Sequence, residues 1–232
     1  MGKDVIVACD FPSAGETLAF LDKLGSARPF VKIGMELYYA EGPQIVRSLK
    51  ERGCKVFLDL KLHDIPNTVK KAMAVLSGLG ADIVNVHAAG TKAMMAAALE
   101  GLTRPDGSRS LLIAVTQLTS TDEATMQSEL LISRSMPETV MHYARNARDA
   151  GLDGVVCSPM EAAKVHEACG EKFLTVTPGV RFAGGDKGDQ KRVMTPAEAK
   201  RIGSDYIVVG RPITAAADPA AAYERCLREF LD

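Results

Sequence analysis

Short apolar runs alternate with amphipathic stretches along the whole chain. The runs Val5–Cys9, Phe30–Ile33, Cys54–Leu60, Ile83–Val86, Leu111–Val115, Gly154–Cys157, Phe173–Val176 and Tyr206–Val209 are mostly rich in β-branched residues. Such runs predict buried strands. Between them, helices are predicted over Ala14–Leu24, Pro43–Arg52, Thr68–Leu79, Lys92–Leu102, Glu138–Ala150, Glu161–Ala168, Pro196–Ile202 and Pro219–Phe230. Gly53, Gly80, Gly151 and Gly170 follow four of these and stop them. A polar stretch, Thr119–Arg134, and a loop rich in glycine and charge, Gly179–Lys191, interrupt the alternation.

Strict strand–helix alternation implies parallel strands joined by right-handed crossovers. Eight such units in 232 residues suit a single (β/α)8 TIM barrel, one catalytic domain spanning residues 1–232. The rival is an open doubly wound sheet. Its glycine fingerprint is missing from the first turn, Asp10-Phe11-Pro12-Ser13-Ala14-Gly15.

Composition narrows the function. The chain is 47% hydrophobic and 25% charged with a net charge of −1, so no general attraction to nucleic acid or a membrane surface is expected. Five cysteines without a CxxC pair read as reduced packing residues. The N-terminus lacks a signal-peptide pattern and no apolar run is long enough to span a bilayer, so a cytoplasmic protein is expected.

In such barrels chemistry gathers at the C-terminal ends of the strands. Strand one ends in Asp10, strand two carries Lys32, and strand three runs into Asp59-Leu60-Lys61-Leu62-His63-Asp64. Side chains alternate along a strand, so Asp59 and Lys61 are expected on one face, with Asp64 just past the strand end. Charged residues extending a buried run are costly unless paired. Asp10, Lys32, Asp59 and Lys61 are therefore expected to form two opposite-charge pairs on one rim. Neighbouring carboxylates favour the ammonium form, so Lys61 suits a proton donor and not a Schiff base.

On the far side, Pro178-Gly179-Val180-Arg181, Gln190 and Gly210-Arg211 suggest an anion site under a glycine-rich lid. No metal-ligand spacing is present, and His63, His87, His142 and His166 are scattered; His142 and His166 are expected at the surface.

Asp59-x-Lys61-x-x-Asp64-Ile65-Pro66-x-Thr68, taken with Asp10, Val31-Lys32-Ile33-Gly34, Thr119, Thr177-Pro178-Gly179-Val180-Arg181, Gln190 and Gly210-Arg211, resembles the orotidine 5′-phosphate decarboxylases. The resemblance runs from the first strand to the eighth. It implies a nucleotide substrate, orotidine 5′-monophosphate, no cofactor and no metal. It also implies a homodimer with shared sites, in which the partner contributes Asp64 and Thr68. Lys61 would protonate C6, Asp59 would face the departing carboxylate, and Lys32 and Asp10 would hold the array and the ribose. Ile65, Thr119 and Pro178 would contact the nucleotide, and Arg181, Gln190, Gly210 and Arg211 its phosphate end. Related Mg²⁺-dependent barrels, the 3-keto-gulonate 6-phosphate decarboxylases and hexulose-phosphate synthases, share Asp-x-Lys-x-x-Asp. They place an acidic metal ligand where this chain has Lys32, and a charged lysine has no lone pair to offer a metal.

Overall fold

Eight parallel strands close into a barrel in chain order, β8 pairing back onto β1. They are β1 Asp4–Ala8, β2 Phe30–Gly34, β3 Lys55–Leu62, β4 Ile83–His87, β5 Leu111–Val115, β6 Gly154–Val156, β7 Leu174–Thr177 and β8 Tyr206–Val209. The structure is a computed structural model and describes residues 3–184 and 194–232. Around the barrel lie α1 Ala14–Lys23, α2 Met35–Glu41, α3 Gln44–Glu51, α4 Pro66–Ser77, α5 Thr91–Leu102, α6 Glu123–Glu129, α7 Met136–Asp149, α8 Ala162–Cys169, α9 Pro196–Ile202, α10 Arg211–Thr214 and α11 Pro219–Leu231. The fold is thus a (β/α)8 barrel. No helix among the described residues is long and apolar enough to cross a membrane.

Period-two alternation divides the core into two layers. Inward-facing Ile6, Phe30, Phe57, Ile83, Ile113, Leu174, Tyr206 and Val208 fill the barrel. Outward-facing Val5, Val7, Val31, Ile33, Val56, Leu58 and Val84 join the helix residues Phe20, Leu49, Met73, Met94, Met95 and Phe230. Each large side chain taken fully out of water contributes about 1.5–3 kcal/mol before entropy.

Three helices depart from the predicted layout. The chain enters α2 directly from Gly34, and Gly42 at φ 65° separates it from α3. Within the polar stretch after β5, α6 starts at Asp122, whose carboxylate caps the Thr125 N–H. The single turn α10 begins at Arg211-Pro212, where proline pre-sets helical φ.

One helix pair bears on the site. A Cβ added at Gly101 on α5 would lie 2.0 Å from the Lys70 carbonyl oxygen on α4. Glycine therefore sets how closely α4 seats, and α4 directly follows the Asp64 loop.

His166 is a correction. It is only 8% exposed, and its Nε2 lies 3.0 Å from Asp205 Oδ2, which also accepts from the Thr175 N–H and hydroxyl. The apolar spacing of α8 turns this ring inward.

Candidate active site

Three strands carry a polar residue two positions beyond a buried inward-facing one: Lys32 after Phe30, Asp59 after Phe57, and Asn85 after Ile83. All three project into the barrel above its apolar filling. Asp10 lies just past β1. Lys32 Nζ donates to Asp10 Oδ1 at 2.8 Å and lies 3.5 Å from Asp59 Oδ2. Lys61 Nζ donates to Asp59 Oδ1 at 2.7 Å. The four charges form a chain alternating in sign, Asp10–Lys32–Asp59–Lys61, as the strand ends predicted.

Burial and charge oppose one another within it. Burial alone would lower the Lys32 pKa, but Asp59 and then Asp10 carry it above the usual lysine value. Burial alone would raise Asp59, but Lys32, Lys61 and the Asn85 amide hold it below the usual carboxylate range. Pairing wins in both cases, so Lys32 and Asp59 both stay charged near neutral pH.

Simple alternation does not account for the position of Lys61. Its φ is 51°, in the left-handed region. Leu58 pairs with Val84 and Leu62 with Val86, so Asp59, Leu60 and Lys61 all lie opposite Asn85 alone. This bulge extends β3 to Leu62, past the expected end at Leu60. Asn85 fills the gap. Its Oδ1 accepts from the Lys61 backbone N–H at 2.8 Å, and its Nδ2 donates to Asp59 Oδ1 at 2.6 Å.

Lys32, Asp59 and Lys61 of the array border a cavity of about 240 Å³, also lined by Phe57, Val115, Gln117, Leu118, Thr119, Ser120, Val156, Pro178 and Val208. Thr119 and Pro178 thus join Lys32, Asp59 and Lys61 at one cavity. A larger open cleft of about 670 Å³ along α7, lined in part by Arg134, His142 and Lys164, holds none of the strand-end residues.

The other described candidates, Asp10 of the array included, are not among the residues that line this cavity. Asp64, Ile65 and Thr68 are exposed on the loop and first turn of α4, Ile65 at 67%. Asp64 accepts from the Ile65 N–H and makes no ion pair with the array. Arg181 follows β7, where its backbone N–H donates to the Met194 carbonyl and its Nη1 to the Val180 carbonyl, both at 2.9 Å. Gly210 and exposed Arg211 open α10 beyond β8. Gln190 lies outside the described residues. Among the described residues, no group of three His, Cys, Asp or Glu side chains converges as a metal cluster.

Sequence reasoning missed Asn85, Gln117 and Ser120. Asn85 had a signal: it is the lone polar residue inside the apolar run of β4, on the inward phase. Gln117 and Ser120 had none, because they sit where the strand pattern stops.

Comparison with known proteins points the same way. A sequence model for the family described as "Orotidine 5'-phosphate decarboxylase / HUMPS family" matches residues 3–226. The orotidine 5′-phosphate decarboxylase of Geobacillus sp. (strain WCH70) is 58% identical, the match covering 99% of this chain and 98% of that protein. That of Bacillus caldolyticus is 60% identical, covering 97% of this chain and 93% of the relative. The crystal structure of orotidine 5′-phosphate decarboxylase from Lactobacillus acidophilus superposes with a TM-score of 0.89 at 44% identity, covering 99% of this chain and 100% of the other.

Proposed function

The chain belongs to the orotidine 5′-phosphate decarboxylase / HUMPS family, and from that membership we propose a mechanism: a decarboxylase that needs neither metal nor organic cofactor, with Lys61 delivering a proton to C6. The family reaction converts orotidine 5′-monophosphate to uridine 5′-monophosphate and CO₂, the last step of pyrimidine biosynthesis.

The observation that carries this reading is the unbroken Asp10–Lys32–Asp59–Lys61 chain. The bond from C6 to the substrate carboxylate breaks, CO₂ leaves, and the electron pair remains on C6. An ammonium already fixed nearby stabilises that charge without reorganisation and then transfers its proton to the carbon. Asp59 holds Lys61 and presents negative charge toward the carboxylate, which is relieved as neutral CO₂ departs. Lys32 keeps Asp59 ionised and, with Asp10, meets the ribose. A charged lysine at this position cannot be a Mg²⁺ ligand, which favours the orotidylate substrate over those of the metal-dependent relatives.

Thr119, Pro178 and the partner's copies of the exposed Asp64, Ile65 and Thr68 complete the nucleotide site in a homodimer. Arg181, Gln190, Gly210 and Arg211 take the phosphate. Because the phosphate is remote from the breaking bond, its binding energy contributes to rate by holding the array closed. The protein works in the cytoplasm on a small nucleotide, with no nucleic-acid or membrane partner.

The test is depletion of orotidine 5′-monophosphate by purified protein in excess chelator. Turnover undiminished by chelator is expected; turnover restored only by added Mg²⁺ would overturn the metal-free reading.

A further inference from the structure

We propose that Asn85 is a positioning residue for the reaction, the group that sets where the Lys61 ammonium stands relative to Asp59. The inference rests on the reading of Lys61 as the proton donor.

The bulge in β3 creates the need. Three consecutive residues of β3 face one residue of β4, so their backbone groups cannot all find ladder partners there. Lys61 also adopts left-handed φ, which costs a non-glycine residue on the order of 1 kcal/mol and persists only where its surroundings enforce it. The Asn85 side chain is what enforces it. Only 1% of Asn85 is exposed, and its amide is used from both ends. The carbonyl oxygen takes the Lys61 N–H at 2.8 Å, and the amino group binds Asp59 Oδ1 at 2.6 Å. That same oxygen receives the Lys61 ammonium at 2.7 Å.

A closed loop results: Lys61 backbone to Asn85, Asn85 to Asp59, and Asp59 to Lys61 Nζ. One amide therefore fixes the root of the lysine and the carboxylate that holds its tip. It carries no charge, so it orders the pair without competing in the alternation of sign. A carboxylate here would accept the N–H but repel Asp59. A serine would be too short to span both partners. Asn85 itself is not among the residues lining the cavity. It acts through Lys61 and Asp59, and the prediction is a loss in turnover larger than any loss in binding.

The experiment compares the parent protein with Asn85→Asp and Asn85→Ser, measuring kcat for orotidine 5′-monophosphate, the Kd for uridine 5′-monophosphate, and the folded fraction by circular dichroism. Displacing a catalytic group by about 1 Å costs about a hundredfold in rate, so kcat is expected to fall by about that much in both variants. Product binding should stay within about threefold of the parent. A fall in kcat of less than about tenfold in either folded variant would overturn the inference. So would a loss of kcat and product binding that merely tracks the folded fraction. Should one variant fail to fold, the other decides by the same criterion. An inactive parent protein would instead overturn the reading of Lys61 on which this rests.

Discussion

The Lys32 ammonium lies 3.5 Å from the Asp59 carboxylate, with only 12% and 10% of the two side chains exposed. Neither charge has much water to fall back on, so Lys32 relies on Asp10 and Asp59, and Asp59 on Lys32 and Lys61. Removing one partner of a buried pair typically costs about 3–5 kcal/mol, and the low end applies here because Asp59 would lose one of its two cations but keep Lys61. Lys32→Met should therefore lower the thermal midpoint by roughly 10 °C. It should also cut kcat/KM by about a hundred- to a thousandfold, since the alternating array loses the cation that links Asp59 to Asp10. Unchanged kcat/KM in a folded Lys32→Met protein would remove Lys32 from the mechanism.

The same pair sets a pH window for stability. Asp59 in the fold titrates below its ordinary value of 3.8, so its contribution is present above that value and is lost as pH falls through the depressed one. Lys32 titrates above its ordinary 10.5, so its contribution is full below that value and is lost as pH rises through the elevated one. The pair's contribution should be constant between about pH 4 and pH 10 and decline on both sides. Urea unfolding across that range is the measurement. Asp59→Asn should flatten the acid limb and Lys32→Met the alkaline limb; acid and alkaline limbs unaltered by these changes would show that other groups dominate.

Why these charges could be read from sequence, and others not, follows from what sets each position. Asp10, Lys32 and Asp59 extend apolar strands in phase, and period two carries them to the same rim. Lys61 reached that rim by a different route. Alternation placed it there on paper, whereas in the structure a bulge and a left-handed residue do so, and no local signal marks either. Helices α2 and α6 hid for related reasons: α2 has no turn ahead of it, and α6 sits in a stretch whose polarity masks its Asp122 cap. Arg181 and Arg211 could be assigned to strand ends, but what they grip depends on loop paths that hydrophobic pattern does not encode.

Gly101 offers a test of how α4 is seated. Alanine is the better helix former by about 1 kcal/mol. Yet its Cβ would meet the Lys70 backbone carbonyl at 2.0 Å, and a backbone atom cannot rotate aside. Overpacking of this kind costs about 1–3 kcal/mol, so Gly101→Ala should be destabilising despite its propensity. The displaced α4 should also reduce kcat/KM through the Asp64–Thr68 segment. A raised thermal midpoint would show that α5 slides freely and that the close approach is unimportant.

Shared sites make a prediction that no single variant can. Asp64 accepts a hydrogen bond from the neighbouring Ile65 N–H, makes no ion pair with its own array among the described residues, and stands exposed with Ile65 and Thr68. If each site takes Lys61 from one subunit and Asp64 from the other, Lys61→Ala and Asp64→Ala homodimers should both be nearly inactive. Lys61→Ala should still bind uridine 5′-monophosphate, because the proposed phosphate and ribose contacts do not involve Lys61. After the two proteins are mixed and allowed to exchange subunits, half the dimers are hybrids. In each hybrid one site carries both substitutions and the other carries neither. Activity should therefore recover to about a quarter of the parent value at equal subunit concentration. Exchange can be verified independently with a tag on one partner. Hybrids that form without regaining activity would place Asp64 in the same subunit's site as Lys61.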